Sequence, residues 1–125
     1  MMKDGKHVIL YVDDDADFLF AVRKVLEANG YIMVEAGTAE EGLKVYKEAR
    51  PDLVIVDLMM EEVDAGTRMV KELMALGNKA PVYMLSSVGD NLSQLTDYSQ
   101  LGLAGVFQKP LDNAALLKVL EQRLK

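Results

Sequence analysis

Leu53-Val54-Ile55-Val56, followed directly by Asp57, is an apolar run in which no polar residue alternates with the hydrophobic ones. Such a run is typical of a parallel strand that is buried on both faces of its sheet. Asp57 brings a carboxylate to the end of a strand that has no other polar side chain. The run therefore predicts an α/β fold and makes the end of this strand a candidate functional position.

Short apolar segments of the same kind lie on either side of this strand, and segments with helical periodicity separate them. Further strands are predicted at residues 7–12, 31–34, 82–85 and 105–108. Helices are predicted at residues 15–29, 38–50, 66–76 and 90–101, and after Asp112. Because strand and helix alternate with short connections, we expect a parallel sheet with helices on both faces. With five strands, the expected architecture is a doubly wound α/β fold in the flavodoxin-like strand order 2-1-3-4-5.

Length and composition exclude several classes of protein. The 125 residues, with a net charge of −6, no cysteine and one histidine, predict one domain over residues 1–125. Without cysteine, disulfides and thiolate-bound metals are excluded, and one histidine excludes a multi-histidine site. The acidic balance argues against nucleic-acid binding, and no apolar run reaches the ~18 residues of a membrane span. We therefore expect a cytoplasmic domain that binds neither nucleic acid nor a membrane.

Polar residues follow the predicted strands at their carboxyl ends, where an open parallel sheet binds its ligands. They are Asp13, Asp14 and Asp15 after the first strand, Asp57 after the third, Ser86 after the fourth and Lys109 after the fifth. Carboxylates that converge on one crevice repel one another, and a hard cation such as Mg²⁺ neutralises them through oxygen ligands. Carboxylates, a hydroxyl, an ammonium group and Mg²⁺ together favour phosphoryl transfer, in which a carboxylate can be the nucleophile.

Each of these residues also has a purely structural interpretation. One of the aspartates after the first strand can cap the helix that follows, because Asp is preferred at that position. Asp57 can begin a turn, Ser86 can be a loop hydroxyl, and Lys109 can be a solvated surface lysine. A nucleotide-binding flavodoxin is disfavoured, because the acidic turn after the first strand has no glycine-rich nest of amides for a phosphate.

The chain resembles the receiver domain of bacterial two-component response regulators from about residue 6 to residue 124. The pieces that carry the resemblance follow the order of the family: Val12-Asp13-Asp14, Asp57-Leu58 with Met60, Pro81-Val82 leading to Leu85-Ser86, and Lys109-Pro110. The resemblance implies a phosphoacceptor signalling domain, a switch that catalyses its own phosphorylation and dephosphorylation rather than an enzyme. It implies a sensor histidine kinase or a histidine phosphotransfer protein as phosphoryl donor, and a downstream protein target.

The resemblance also implies the roles of the acidic residues. Asp57 is the residue phosphorylated from a kinase phosphohistidine. Asp13 and Asp14 hold Mg²⁺, or Mn²⁺ in its place, with help from Asp57 and the backbone carbonyl of Met59.

Two more residues complete the implied site, and one nearby position departs from the family. Ser86 hydrogen-bonds the phosphoryl group, and Lys109 pairs with the carboxylate and then with the phosphoryl oxygens.

The family usually has Tyr or Phe three residues before this lysine, whereas this chain has Val106. Phe107 is adjacent, but side chains alternate along a strand, so we expect it to face the other way. The departure concerns the signalling readout rather than the chemistry.

Two other functions stay open from the sequence. Asp13-x-Asp15 after the first strand matches the start of the haloacid dehalogenase phosphatase motif, with Asp13 as the nucleophile, although the chain is short for such an enzyme. The second is a degenerate receiver that serves only as a binding module, although this chain keeps the acids and the lysine that such receivers lose. The identity of the phosphorylated aspartate, Asp13 or Asp57, separates a phosphatase from a receiver.

Overall fold

The computed structural model of the chain describes residues 2–3, 5–57, 65–86, 103–108 and 112–124. Its strands are β1 (Met2–Lys3), β2 (Lys6–Val12), β3 (Ile32–Ala36), β4 (Leu53–Asp57), β5 (Val82–Ser86) and β6 (Gly105–Gln108). Its helices are α1 (Ala16–Ala28), α2 (Ala39–Ala49), α3 (Ala65–Ala75) and α4 (Asn113–Arg123). The helix predicted at residues 90–101 lies outside the described residues. In the described ranges, no helix has the length and apolarity needed to cross a membrane.

The sheet has the predicted topology. Strands β2 to β6 pair in parallel in the spatial order β3-β2-β4-β5-β6. Counted over these parallel strands, the order is 2-1-3-4-5, which confirms the doubly wound fold. The short strand β1 was not predicted, and it pairs antiparallel with the start of β2, where Met2 lies opposite His7. The strand order reverses between β2 and β4, so their carboxyl ends flank the switch point at which such folds bind ligands.

Two apolar cores cover the two faces of the sheet. Successive side chains of β2 alternate between them, because a strand has a period of two. Leu10 and Val12 belong to the core shared with α2 and α3, whereas Ile9 and Tyr11 belong to the core shared with α1 and α4. The side of α3 that faces the sheet is buried in the first core through Met69, Val70 and Leu73. A sheet packed on both faces gives the residues at its carboxyl edge a rigid base.

Polar side chains fix where the helices begin. Asp15, Thr38 and Asp112 are the N-cap residues of α1, α2 and α4. Thr38 and Glu41 have the spacing of a capping box, which forms in part: the Thr38 hydroxyl accepts the Glu41 N–H at 3.0 Å. The Glu41 carboxylate accepts the N–H of Gly37 at 3.2 Å, one residue before the expected partner. These caps satisfy donors that would otherwise lack a partner in the first helical turns.

Candidate functional site

Three carboxylates meet at the carboxyl edge of the sheet. Asp57 ends β4, and Asp13 and Asp14 directly follow the neighbouring β2. One carboxylate oxygen from each residue lies within 4.8 Å of the others. Asp13 is 0% and Asp57 is 2% exposed, whereas Asp14 is exposed to solvent. The carboxylates therefore form one cluster, the acidic cluster, in which two members are buried and the third is open to water.

The donor atoms of the acidic cluster fit a hard divalent cation. All three residues offer carboxylate oxygens, which Mg²⁺ prefers over nitrogen or sulfur ligands. Mg²⁺ also retains several of its waters, and the exposed position of Asp14 leaves a solvent side on which such waters can stay. A bound cation would relieve the mutual repulsion of three like charges.

The Asp13 carboxylate is held by donors on both of its oxygens. Oδ1 accepts the backbone N–H of Asp15 at 2.9 Å, and Oδ2 accepts the hydroxyl of Tyr11 at 2.5 Å. The Asp13 backbone N–H donates to the carbonyl of Ala36 at 3.0 Å, which ties the turn after β2 to the end of β3. The orientation of this carboxylate is therefore set by the surrounding protein.

Tyr11 is a site residue that was not predicted from the sequence. Its side chain is fully buried and lies on the same face of β2 as Asp13, because the two are two residues apart. Burial raises the pKa of Tyr11 well above its ordinary value, and the hydrogen bond to Asp13 raises it further. The hydroxyl therefore keeps its proton at physiological pH and acts as a donor. The sequence signal for this contact is a tyrosine that lies in an apolar strand, two positions before the aspartate that follows the strand.

Asp15 has a structural role that separates it from the cluster. Its carboxylate accepts the backbone N–H groups of Asp17 at 2.9 Å and Phe18 at 3.4 Å, which caps α1. The structural interpretation considered for the aspartates after the first strand therefore applies to Asp15. Its capping role weakens the phosphatase interpretation, in which Asp15 belongs to the catalytic motif with Asp13.

Of the other predicted site residues, the structure describes Ser86 but not Met59 or Lys109. Ser86 ends β5 and pairs with Gln108 of β6. Since its neighbour Leu85 pairs with Asp57, the backbone of Ser86 lies at the same edge of the sheet as the acidic cluster. Met59 and Lys109 lie outside the described residues, so their roles stay predictions.

The family model of the response regulator receiver domain matches residues 9–121. The chain belongs to the response regulator receiver family. Receivers of this family are phosphoacceptor signalling domains of two-component systems, in which they interact with kinases and with downstream targets. The acidic cluster of this receiver is therefore consistent with Mg²⁺ binding.

This receiver is similar both to a relative of about its own length and to a much longer one. The chemotaxis protein CheY of Bacillus subtilis (strain 168) is 32% identical over 119 residues, which cover 94% of this chain and 98% of that protein. The transcriptional regulatory protein GlrR of Escherichia coli (strain K12) is also 32% identical, over 117 residues, but the match spans 94% of this chain and only 26% of GlrR. The receiver thus corresponds to nearly all of some relatives and to a part of others.

Solved structures agree with the fold described above. The chemotaxis response regulator CheY4 of Vibrio cholerae superposes with a TM-score of 0.82 at 27% identity, over 95% of this chain and 99% of that one. A CheY-like receiver domain protein of Methanospirillum hungatei JF-1 superposes with a TM-score of 0.86 at 25% identity, over 95% of this chain and 94% of that one. The flavodoxin-like arrangement predicted from the sequence is that of these neighbours.

Proposed function

We propose that this receiver accepts a phosphoryl group on Asp57 while a divalent cation is held by Asp13, Asp14 and Asp57. The acidic cluster is the observation that carries the proposal, because it brings an aspartate at the end of the third parallel strand against a pair at the end of the first. Asp57 is assigned as the phosphoacceptor by its place in the family pattern, at the end of the third parallel strand and beside the pair.

The reaction is a displacement at phosphorus. A carboxylate oxygen of Asp57 attacks the phosphorus of a phosphohistidine, a P–O bond forms, and the P–N bond breaks with its electron pair going to the histidine nitrogen. When bound, Mg²⁺ supplies positive charge to the phosphoryl oxygens, which lowers the cost of bringing an anion against a carboxylate. Asp13 and Asp14 position that charge, and Asp13 is already oriented by the Tyr11 hydroxyl and the Asp15 N–H.

Three further residues complete the proposed site through the family resemblance. Met59 supplies a backbone carbonyl to the cation, Ser86 hydrogen-bonds the phosphoryl group, and Lys109 pairs with its oxygens. With these groups the domain catalyses its own phosphorylation and the hydrolysis of its acyl phosphate. Mn²⁺ substitutes for Mg²⁺, because the ligands are oxygen atoms that both cations accept.

The partners follow from the two events of signalling, phosphorylation of the domain and recognition of its phosphorylated form. A sensor histidine kinase or a histidine phosphotransfer protein donates the phosphoryl group, and a downstream protein target binds the phosphorylated form. Residues 1–125 act as one receiver domain in the cytoplasm, and the acidic balance of the chain favours protein partners over nucleic acid.

Labelling with a small phosphoryl donor tests the proposal. With acetyl phosphate and Mg²⁺, we expect an acid-stable, base-labile label on Asp57, and no label when the cation is chelated. Asp57→Asn should abolish the label. Asp15→Asn is the matched control, because it removes a neighbouring charge while Asn still serves as an N-cap. Wild-type labelling of Asp57→Asn would contradict the proposal, and a label found on Asp13 would favour the phosphatase.

A further inference from the structure

The hydroxyl of Tyr11 is a buried polar group in direct contact with a proposed cation ligand. It donates to Asp13 Oδ2 at 2.5 Å, at the short end of the range for O–H···O bonds, as expected when the acceptor carries a charge. We propose that Tyr11 is a positioning residue of the cation site, whose hydroxyl holds the Asp13 carboxylate in the orientation that binds the cation. This inference rests on the proposed function, which places a cation in the acidic cluster.

The geometry gives the Tyr11 hydroxyl and the Asp15 N–H different tasks on Asp13. The N–H of Asp15 belongs to the backbone of the turn and fixes Oδ1. A carboxylate held at one oxygen can still swing about that contact, whereas a second donor on Oδ2 defines the plane of the group. Tyr11 supplies such a donor on Oδ2, and together with the Asp15 N–H it restricts the directions in which the lone pairs of Asp13 point.

Tyr11 is also a rigid donor. Its ring is fully buried in the core shared with α1 and α4. Its backbone pairs with Glu35 of β3 on one side and with Ile55 of β4 on the other. The ring therefore cannot leave the carboxylate without disturbing the packed sheet, and a ligand with such a partner is already oriented before the cation arrives.

A role in stability alone predicts a different result, and Tyr83 provides the comparison. Tyr83 lies in the same core and in the same row of the sheet, since Ile55 pairs with Tyr11 on one side and with Tyr83 on the other. The Tyr83 hydroxyl accepts a hydrogen bond from Arg123 Nε at 2.9 Å. Removal of either hydroxyl is expected to lower stability, but only removal of the one on Tyr11 should weaken cation binding.

Cation affinity of the unphosphorylated full chain tests the inference. Free Mn²⁺ is measured by electron paramagnetic resonance, and Mg²⁺ affinity follows by competition. We expect Tyr11→Phe to raise the Kd for both cations about tenfold, the low end of the ~10–100-fold effect typical of lost partners of metal ligands. Without the hydroxyl, Asp13 Oδ2 loses the hydrogen bond from Tyr11, and the carboxylate is held less firmly in the binding orientation. Tyr83→Phe should leave both Kd values unchanged.

The outcomes separate this inference from the proposed function. The inference on Tyr11 is overturned if Tyr11→Phe binds the cations as tightly as the wild type or more tightly. It is also overturned if Tyr83→Phe loses as much cation affinity as Tyr11→Phe. Asp14→Asn and Asp57→Asn are measured in the same assay: if they too bind like the wild type, the cation site itself is misplaced. If both lose binding while Tyr11→Phe does not, the inference on Tyr11 alone is wrong.

A second measurement needs no change at Tyr11. Wild-type protein with 13C at the tyrosine Cζ is titrated with Mg²⁺, and resonances are assigned with Tyr→Phe variants of the other tyrosines. The Tyr11 resonance should shift with the midpoint of Mg²⁺ binding, and that of Tyr83 should stay in place. A stationary Tyr11 resonance at saturating Mg²⁺ overturns the inference even if Tyr11→Phe fails to fold.

Discussion

Phe107 stacks on Tyr83, with ring centroids 5.2 Å apart and ring planes inclined by 26°. The contact lies in the core shared with α1 and α4, where the Tyr83 hydroxyl accepts a hydrogen bond from Arg123 of α4. Val106 packs against the opposite core. The prediction that Phe107 faces away from the position of the usual family aromatic is confirmed, and its ring is held on the α4 side of the sheet.

The first prediction concerns the readout of activation. Since Phe107 is packed against Tyr83, Phe107→Leu should cost about 1 kcal/mol of stability from the lost ring contact but leave the response to beryllofluoride unchanged. When beryllofluoride is added, hydrogen exchange should change more in segment 90–101 than in β6, in the wild type and in Phe107→Leu alike. The reason is that Val106 stands where the family usually has Tyr or Phe, so β6 lacks an aromatic ring that could respond at that position. Changes confined to β6, or a response lost in Phe107→Leu, would contradict this.

The second prediction concerns the repulsion within the acidic cluster. Asp14 is its exposed member, and Asp14→Asn removes one of three nearby charges. Without a cation, Asp14→Asn should melt at a higher temperature than the wild type, because the repulsion is relieved. With Mg²⁺ at 100 times its Kd, the wild type should gain about 2.7 kcal/mol, and the variant should gain less.

Thermal unfolding with and without Mg²⁺ measures both effects. Asp17→Asn is the matched control, because Asp17 is an exposed acid in the first turn of α1, outside the cluster. It should keep the full stabilisation by Mg²⁺. A wild-type melting temperature that does not change with Mg²⁺ would count against the site.

The third prediction concerns the close approach of α2 to the sheet. A Cβ on Gly42 would lie 2.8 Å from Met69 Cε and 2.9 Å from Val12 Cγ2. Gly42→Ala should therefore cost about 1–3 kcal/mol through overpacking, against a gain of about 1 kcal/mol in helix propensity. At Gly37 a Cβ meets nothing within 4 Å, so Gly37→Ala should be almost neutral. Urea unfolding compares the variants. A Gly42→Ala protein that is about 1 kcal/mol more stable than the wild type, the gain in helix propensity alone, would disprove the tight packing.

The sequence predicts the elements of this fold better than their ends. The second parallel strand was predicted at residues 31–34, but β3 runs from Ile32 to Ala36. It continues because Glu35 and Ala36 pair with Tyr11 and Val12 of β2. A local pattern cannot show this, since the pairing depends on a strand more than twenty residues away.

The acidic cluster was predictable because parallel strands end at the same edge of the sheet. Strand ends alone bring Asp13, Asp14, Asp15 and Asp57 to this edge, and the family resemblance selects Asp13, Asp14 and Asp57 from them. The sequence could not show which aspartate turns toward the helix, because that depends on the direction of the side chain. Tyr11 was missed because a tyrosine in an apolar strand is fully explained by burial, and its hydroxyl partner appears only in three dimensions.

The last prediction uses Asp15 to separate a cap from a catalytic acid. Its carboxylate accepts two N–H groups of the first turn of α1, so Asp15→Ala should cost about 1 kcal/mol, whereas Asp15→Asn should cost little. Both variants should still be labelled on Asp57 by acetyl phosphate, because Asp15 lies outside the acidic cluster. Urea unfolding and the rate of labelling are measured on the same samples. If Asp15→Asn folds like the wild type but loses labelling, Asp15 takes part in the chemistry and its role is more than that of a cap.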